Sequence, residues 1–263
     1  VSYNRGFILS TVDNEVMRLN QAKSEILAAD LGQGFATRTV VGQPIGGFYG
    51  YKVEGVFQNE DEIEKYPTFG DEQPGDFRYA DINGDSILSS EDRTYLGSPI
   101  PTLTYGFSAG IEAYGFDFNI DFFGVSGNKV LNAKAIQTRF AVNNWEQVFY
   151  DDRWTGEGTS NTVASMDQER FKHNTRVSDH WIEDGSFLRL RSIMLGYTFP
   201  KNWLSGIGVS RARLYASGTN LWTRQEYSGW SPEFPGSSPY AVGIDFLNYP
   251  MSKTYLFGLD VTF

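Results

Sequence analysis

The stretch T-L-T-Y-G-F-S-A-G-I-E-A-Y-G-F-D-F-N-I-D-F, Thr102 to Phe122, decides the fold. Leu103, Tyr105, Phe107, Ala109, Ile111 and Ala113 occupy alternate positions, with Thr102, Thr104, Gly106, Ser108, Gly110 and Glu112 between them. Beyond Tyr114-Gly115 the alternation resumes, with Phe116, Phe118, Ile120 and Phe122 set against Asp117, Asn119 and Asp121. A period of two over two runs joined by a two-residue turn specifies a β-hairpin. One of its faces is wet and the other strongly apolar.

The same pattern recurs along the chain. Tyr3–Val12 reads as a strand, with Glu15–Leu19 a return strand across Asp13-Asn14. Phe187–Phe199 is a strand whose apolar phase moves from Leu188 and Leu190 to Ile193, Leu195 and Tyr197, which implies a bulge near Ser192. Arg211–Trp222 follows, and Thr254–Phe263 closes the sequence with Tyr255, Phe257, Leu259, Val261 and Phe263 on one face. Gln21–Leu31 is expected to be helical from its composition, and Asp61–Tyr66 to form a helical turn.

The connections sort by length. Asp13-Asn14, Tyr114-Gly115 and Pro200–Gly208 are short; 32–101, Asn128–Asp184 and Thr223–Pro250 are long, polar and loop-like. Short turns at one end and long loops at the other characterise outer-membrane barrels. A soluble β-sandwich or propeller, in which the apolar faces meet a second sheet, is the competing architecture. Its loops have no reason to alternate in this way. The sequence therefore predicts an all-β fold of antiparallel transmembrane barrel strands with long extracellular loops.

Composition bounds the function. A net charge of −10 leaves nothing to neutralise phosphates, so no nucleic-acid partner is expected. The absence of cysteine removes disulfides and thiolate zinc sites. No apolar run is long enough for a membrane helix, which leaves a barrel open. A start at Val1, with neither methionine nor a signal segment, points to a chain processed or cut from something longer.

D-I-N-G-D-S-I-L-S-S-E-D, Asp81 to Asp92, has the donor spacing of a calcium loop. Asp81, Asn83 and Asp85 supply side-chain oxygens and Ile87 a backbone carbonyl. Ser89 acts directly or through water, and Asp92 closes the site. Ser86 stands where such loops carry glycine, and Asp92 replaces the longer bidentate glutamate. The alternative is an Asx-rich surface turn. A structural Ca²⁺ pinning a long loop is the expectation. Trp145, Trp154, Trp230, Tyr240 and Tyr249 are candidates for stacking on a ligand, although loop packing or interfacial anchoring explains them equally. His180 beside Trp181 reads as a loop or girdle residue. The acid pairs Asp151/Asp152 and Glu183/Asp184 nominate no catalytic centre, so no enzymatic activity is expected.

Longer motifs carry a resemblance. V-G-Q-P-I-G-G-F-Y-G-Y-K-V-E-G-V-F (Val41–Phe57) is followed by G-D-F-R-Y-A-D-I-N-G-D-S-I-L-S-S-E-D-R (Gly75–Arg93). Then come Gly97–Pro101 with T-Y-G-F-S, W-I-E-D-G-S-F-L-R-L-R-S-I-M-L-G-Y-T-F-P (Trp181–Pro200) and R-L-Y-A-S-G-T-N-L-W-T (Arg213–Thr223). In this order they resemble the SusC/RagA family of TonB-dependent outer-membrane transporters of Bacteroidota. The resemblance implies import of oligosaccharides, or in some members peptides, beneath a SusD-like surface lipoprotein and driven through TonB. It also implies a 22-stranded barrel around an N-terminal plug. About seven strands are legible and no plug motif, so residues 1–263 correspond to a C-terminal portion of that barrel. The strand Tyr255, Phe257, Leu259, Val261, Phe263 would face outer-membrane lipid, and its terminal aromatic would be the signal for membrane insertion. A soluble calcium-stabilised carbohydrate-binding β domain is the reading outside this family.

Overall fold

The computed structural model describes residues 1–263 apart from 21–22, 141–144, 207, 235 and 237. Six strands form one antiparallel meander: β1 (Ser2–Thr11), β2 (Leu103–Ala113), β3 (Phe116–Ser126), β4 (Phe187–Thr198), β5 (Arg211–Gln225) and β6 (Thr254–Thr262). Tyr114 and Gly115 join β2 to β3 with φ of 52° and 86°. Two consecutive positive φ values make the type I′ geometry whose twist matches the flanking strands.

The register turns each strand's alternation into rows that cross the sheet. Tyr3, Ile111, Phe118, Leu195, Ala216 and Phe257 are lateral partners on one face. Gly6, Ser108, Asp121, Ser192, Thr219 and Thr254 form a row on the other. The expected slip lies between Leu190 and Ser192, against both β3 and β5. Among the described residues nothing covers the apolar face: Phe257 is 80% exposed, and Leu195 keeps 51% even on a central strand. Arg5, level with Ala109 and Ile120, interrupts that face.

The hydrophobic core lies elsewhere, in the long connections. Phe48, Val56, Phe77, Tyr79, Leu131, Ile136, Val177, Trp181 and Ile244 are all buried together. They come from all three long segments, 12–102, 127–186 and 226–253. A four-stranded sheet in the order Glu25–Asp30, Phe35–Val40, Gly47–Gly50, Thr94–Gly97 supports it. Two small pairs complete the module, Val53–Val56 with Phe77–Tyr79 and Lys129–Leu131 with Ile182–Asp184. Parallel bridges Tyr51–Ser178 and Leu131–Ile244 tie the three segments to one another.

Three sequence expectations are corrected. Glu15–Leu19 is no strand: Val16 exchanges backbone bonds with Gly42 and Gln43, at 3.0 and 2.9 Å, and Asn14 Oδ1 accepts from Ile45 N. The chain therefore leaves β1 straight into a long connection, and the strands number six rather than about seven. In the expected helix Gln21–Leu31, Glu25–Asp30 is a strand paired with Phe35–Val40; Gln21 and Ala22 lie outside the described residues. Good helix formers lose here because pairing across the Gly32–Gly34 turn satisfies the same backbone groups while burying one face. The stretch 32–101 is likewise a folded unit rather than an open loop. Its helical turn runs Glu60–Lys65, one residue earlier than expected, with Asn59 Oδ1 accepting from Glu62 N.

The length pattern survives these changes. Turns 114–115 and 199–210 lie at one end of the sheet, the three long segments at the other.

Candidate functional site

The polar face changes character along the strands. Near the short turns it is ionic. Arg213 of β5 donates to both Asp117 carboxylate oxygens, at 3.0 and 2.6 Å, and its Nη1 lies 3.6 Å from Asp260. The pair passes over Gly196 of β4, where any Cβ would collide with both side chains. A shallow depression of about 650 Å³ surrounds it, lined among others by Glu112, Asn119 and Met194.

Toward the long connections the same face becomes aromatic. The bulge at Arg191 brings Phe187 and Arg189 onto it, beside Phe123, Val125 and Thr223. Arg189 is only 5% exposed. Its Nε donates to Thr223 Oγ1 at 3.0 Å, its Nη1 pairs with Glu233, and its Nη2 reaches Ser231 Oγ at 3.4 Å. The guanidinium lies 5.0 Å from the centre of the Phe187 ring. Such a charge persists under cover because its donors are matched.

A cleft of about 610 Å³ opens over this pair. Pro99, Pro101, Phe123, Phe187, Phe234, Tyr249 and Met251 line it, with Asn128 and Glu233 as polar points. The third long segment forms the roof. Tyr227 Oη donates to Asp245 Oδ2 at 2.6 Å, and the Tyr227 ring meets Phe234 edge-on at 5.7 Å. Burial first, and the Asp245 carboxylate second, push the Tyr227 phenol far above its usual range, so it stays a donor. Backbone bonds Lys134 N to Asp245 O and Asp245 N to Leu131 O anchor the segment.

Of the candidate stacking residues, Tyr249 lines this cleft and the other four lie outside it. Trp154 lies against Gly75, where an added Cβ would collide with its ring, and donates Nε1 to Gln58 Oε1, which makes it a module side chain. Trp230 is 64% exposed, with Lys134 Nζ 5.3 Å from its ring centre; that Nζ also donates to Glu146, next to Trp145. Tyr240 is half-buried, and its carbonyl accepts from Thr37 Oγ1 at 2.7 Å. The Trp145 ring lies beside Tyr150, at 6.2 Å between centres. His180 stacks on Phe77 at 4.6 Å and on Trp181 at 4.5 Å, at the edge of the core. The signal for the cleft was the phase slip in β4, which turns an arginine and a phenylalanine inward.

In the Asp81–Asp92 loop the backbone folds around the acids. Asp81 accepts from Gly84 N and Ser86 N at 2.6 and 2.8 Å, Asn83 Oδ1 from Asp85 N, and Asp85 Oδ1 from Ile87 N. Ser86 keeps the left-handed conformation of the glycine it replaces, at φ 67°. Slight desolvation raises the Asp81 carboxyl, but the amides of Ser86, Gly84 and Asp85 outweigh it and hold the group below its usual range. Asp92 is fully buried, accepting from Ile82 N at 2.9 Å and Ser89 N at 2.8 Å, while Ser89 Oγ caps the turn. The side-chain oxygens of Asp81, Asn83 and Asp85 thus turn inward onto the loop's own amides. Asp92 braces the loop from beneath.

No family model matches the chain. It is 29% identical over its full length to TonB-dependent receptor P3 of Formosa agariphila and 31% identical over 97% of its length to TonB-dependent receptor P26 of the same organism. To TonB-dependent receptor SusC of Bacteroides thetaiotaomicron it is 27% identical over 73% of its length. The chain spans about a quarter of the two Formosa proteins, 27% and 26%, and 18% of the third. Among solved structures it is similar to the RagAB peptide transporter, with a TM-score of 0.74 and 22% identity over 99% of this chain and 27% of that one. The likeness holds, at a TM-score of 0.73, for the RagAB peptide importer in its closed-closed state.

Proposed function

This chain is a SusC/RagA-like part of a TonB-dependent receptor, and we propose that it forms wall strands and mouth loops of a nutrient importer in the outer membrane of a Gram-negative bacterium. Its fold is that of the receptor barrel: antiparallel strands, here an open arc of the wall. The apolar face bearing Tyr255, Phe257, Leu259, Val261 and Phe263 meets lipid. The ionic face around Asp117 and Arg213 meets the plug, through which TonB acts. With one polar face inward and one apolar face outward, this stretch of wall supplies binding surface rather than catalysis.

The observation that carries the reading is the aromatic cleft on the inward face, roofed by a long connection. Flat apolar rings beside fixed polar groups suit the alternating C–H faces and hydroxyls of an oligosaccharide, the ligand we propose. A SusD-like lipoprotein would close over the loop module. Converting Phe187 and Phe234 together to alanine is expected to weaken oligosaccharide binding to the full-length receptor about tenfold, as loss of about 1.4 kcal/mol of ring contact implies. Calorimetry with a panel of oligosaccharides and of peptides provides the check. If only peptides bind and the double variant loses them, the cleft stands and the ligand class changes to that of the RagAB importer. Unchanged binding in the variant rejects the cleft.

Calcium is proposed for the loop, held by Asp81, Asn83, Asp85, the Ile87 carbonyl and Ser89. Saturation to about a hundred times the dissociation constant should stabilise the loop module by about 2.7 kcal/mol, and Asp81→Asn should abolish that gain. A melting curve indifferent to millimolar Ca²⁺ would sink this assignment.

A further inference from the structure

Among the described residues, three ligand-type side chains outside the calcium-like loop converge: Asp71, Glu72 and His173, with donor atoms within 4.8 Å of one another. The first two stand on the first long connection and the third on the second, so the grouping exists only after folding. His173 is the unusual member. Its side chain is 2% exposed, its Nε2 lies 3.1 Å from the Phe77 carbonyl, and its Nδ1 has no hydrogen-bond partner.

The carbonyl can only accept, so Nε2 carries the proton and Nδ1 presents a bare lone pair. That lone pair faces the acids, with Asp71 Oδ1 at 4.0 Å, too long for a hydrogen bond. An imidazole oriented by a backbone carbonyl on one nitrogen, with the other nitrogen free, is the arrangement of a metal-ligating histidine.

The structure assigns to Asp71, Glu72 and His173 a divalent-metal site of the zinc type that clips the first long connection to the second. One nitrogen and two carboxylate oxygens are the borderline donor set that suits Zn²⁺ better than Ca²⁺. Zinc–ligand bonds of about 2.0–2.2 Å put tetrahedral donors about 3.3–3.5 Å apart, so the ion draws the groups together by less than about 1.5 Å. Asp71 is free to make that move, since its side chain is 67% exposed. Glu72 is already fixed by the amides of Phe69 on Oε1 and of Gly70 and Asp71 on Oε2, which leaves a lone pair on Oε1 for the ion. Of the nearby charges, Asp76 is committed to Arg170, and Arg176 donates to the His173 carbonyl while lying over Phe69. Arg170 Nη1, 3.8 Å from Asp71 Oδ2, leaves Oδ1 for the ion. Water completes the coordination.

The test is a zinc titration of the full-length receptor, stripped with chelator in detergent, together with diffraction at the zinc edge. Wild type should show an anomalous peak beside His173 Nδ1. Asp71→Asn, at an exposed position, should weaken that binding at least about tenfold, and His173→Gln should remove it. Asp81→Asn should leave it unchanged, which separates this site from the calcium-like loop. Absence of the peak at millimolar Zn²⁺ overturns the assignment, as does an Asp71→Asn variant that folds and binds zinc like wild type.

Discussion

Asp76→Ala is expected to destabilise the loop module by about 3–5 kcal/mol, the cost of leaving a covered charge without its partner. Asp76 is fully buried. Its carboxylate accepts from Arg170 Nε at 2.8 Å, Asn174 Nδ2 at 3.0 Å and Gln73 N at 2.9 Å. Asn174 in turn holds Phe77 N through its Oδ1 at 2.8 Å, so the loss reaches the small sheet. The carboxylate raises the Arg170 guanidinium above its usual range, and even without it an arginine keeps its proton, so the variant leaves a cation behind. Denaturation of the full-length receptor followed by tryptophan emission reads the effect, because Trp154 and Trp181 belong to this core. The double variant Asp76→Leu/Arg170→Met should recover much of the loss, since removing both charges leaves no orphan. A single variant as stable as wild type would show that the pair contributes nothing.

Leu195→Arg should cost the barrel about 2 kcal/mol in lipid, because the penalty for a cation on the membrane-facing side is about 2–4 kcal/mol at mid-bilayer and falls toward the interfaces. Leu195 is the ninth of the twelve residues of β4 and sits in the row from Tyr3 to Phe257, with apolar partners Phe118 and Ala216. Ser217, one residue from Ala216 on β5, points to the opposite face. Ser217→Lys should cost about 1 kcal/mol or less, because that face is polar. Folding yields into lipid vesicles, read from the heat-dependent gel mobility of the barrel, separate the two. A soluble β domain would tolerate arginine at an exposed Leu195 as readily as lysine at Ser217. Equal outcomes would therefore reject the membrane reading.

The sheet was legible because its information is local. Strand period, the Tyr114-Gly115 turn and the slip at Ser192 each lie within about a dozen residues, and pairing between chain neighbours leaves little for distant contacts to decide. Glu15–Leu19 shows the limit: five alternating residues fit a strand, but Val16 found its backbone partners at Gly42 and Gln43. Glu25–Asp30 shows the same for propensity, which a paired hairpin overrode.

The sequence by itself determined the six wall strands only together with a seventh, Glu15–Leu19, that the fold does not form, along with their two unlike faces and the sorting of the long connections to one end. It also marked the calcium-like loop, whose turn chemistry is carried by neighbouring residues. Tertiary structure alone decided that the long connections hold the hydrophobic core, and that Phe187 and Arg189 lie under a roof made by Phe234. It alone set His173 against Asp71 and Glu72. Those groupings join positions far apart in the chain through packing and non-local backbone bonds. Such bonds leave no period in the sequence, because each is fixed by the shape of the other segments rather than by its own neighbours.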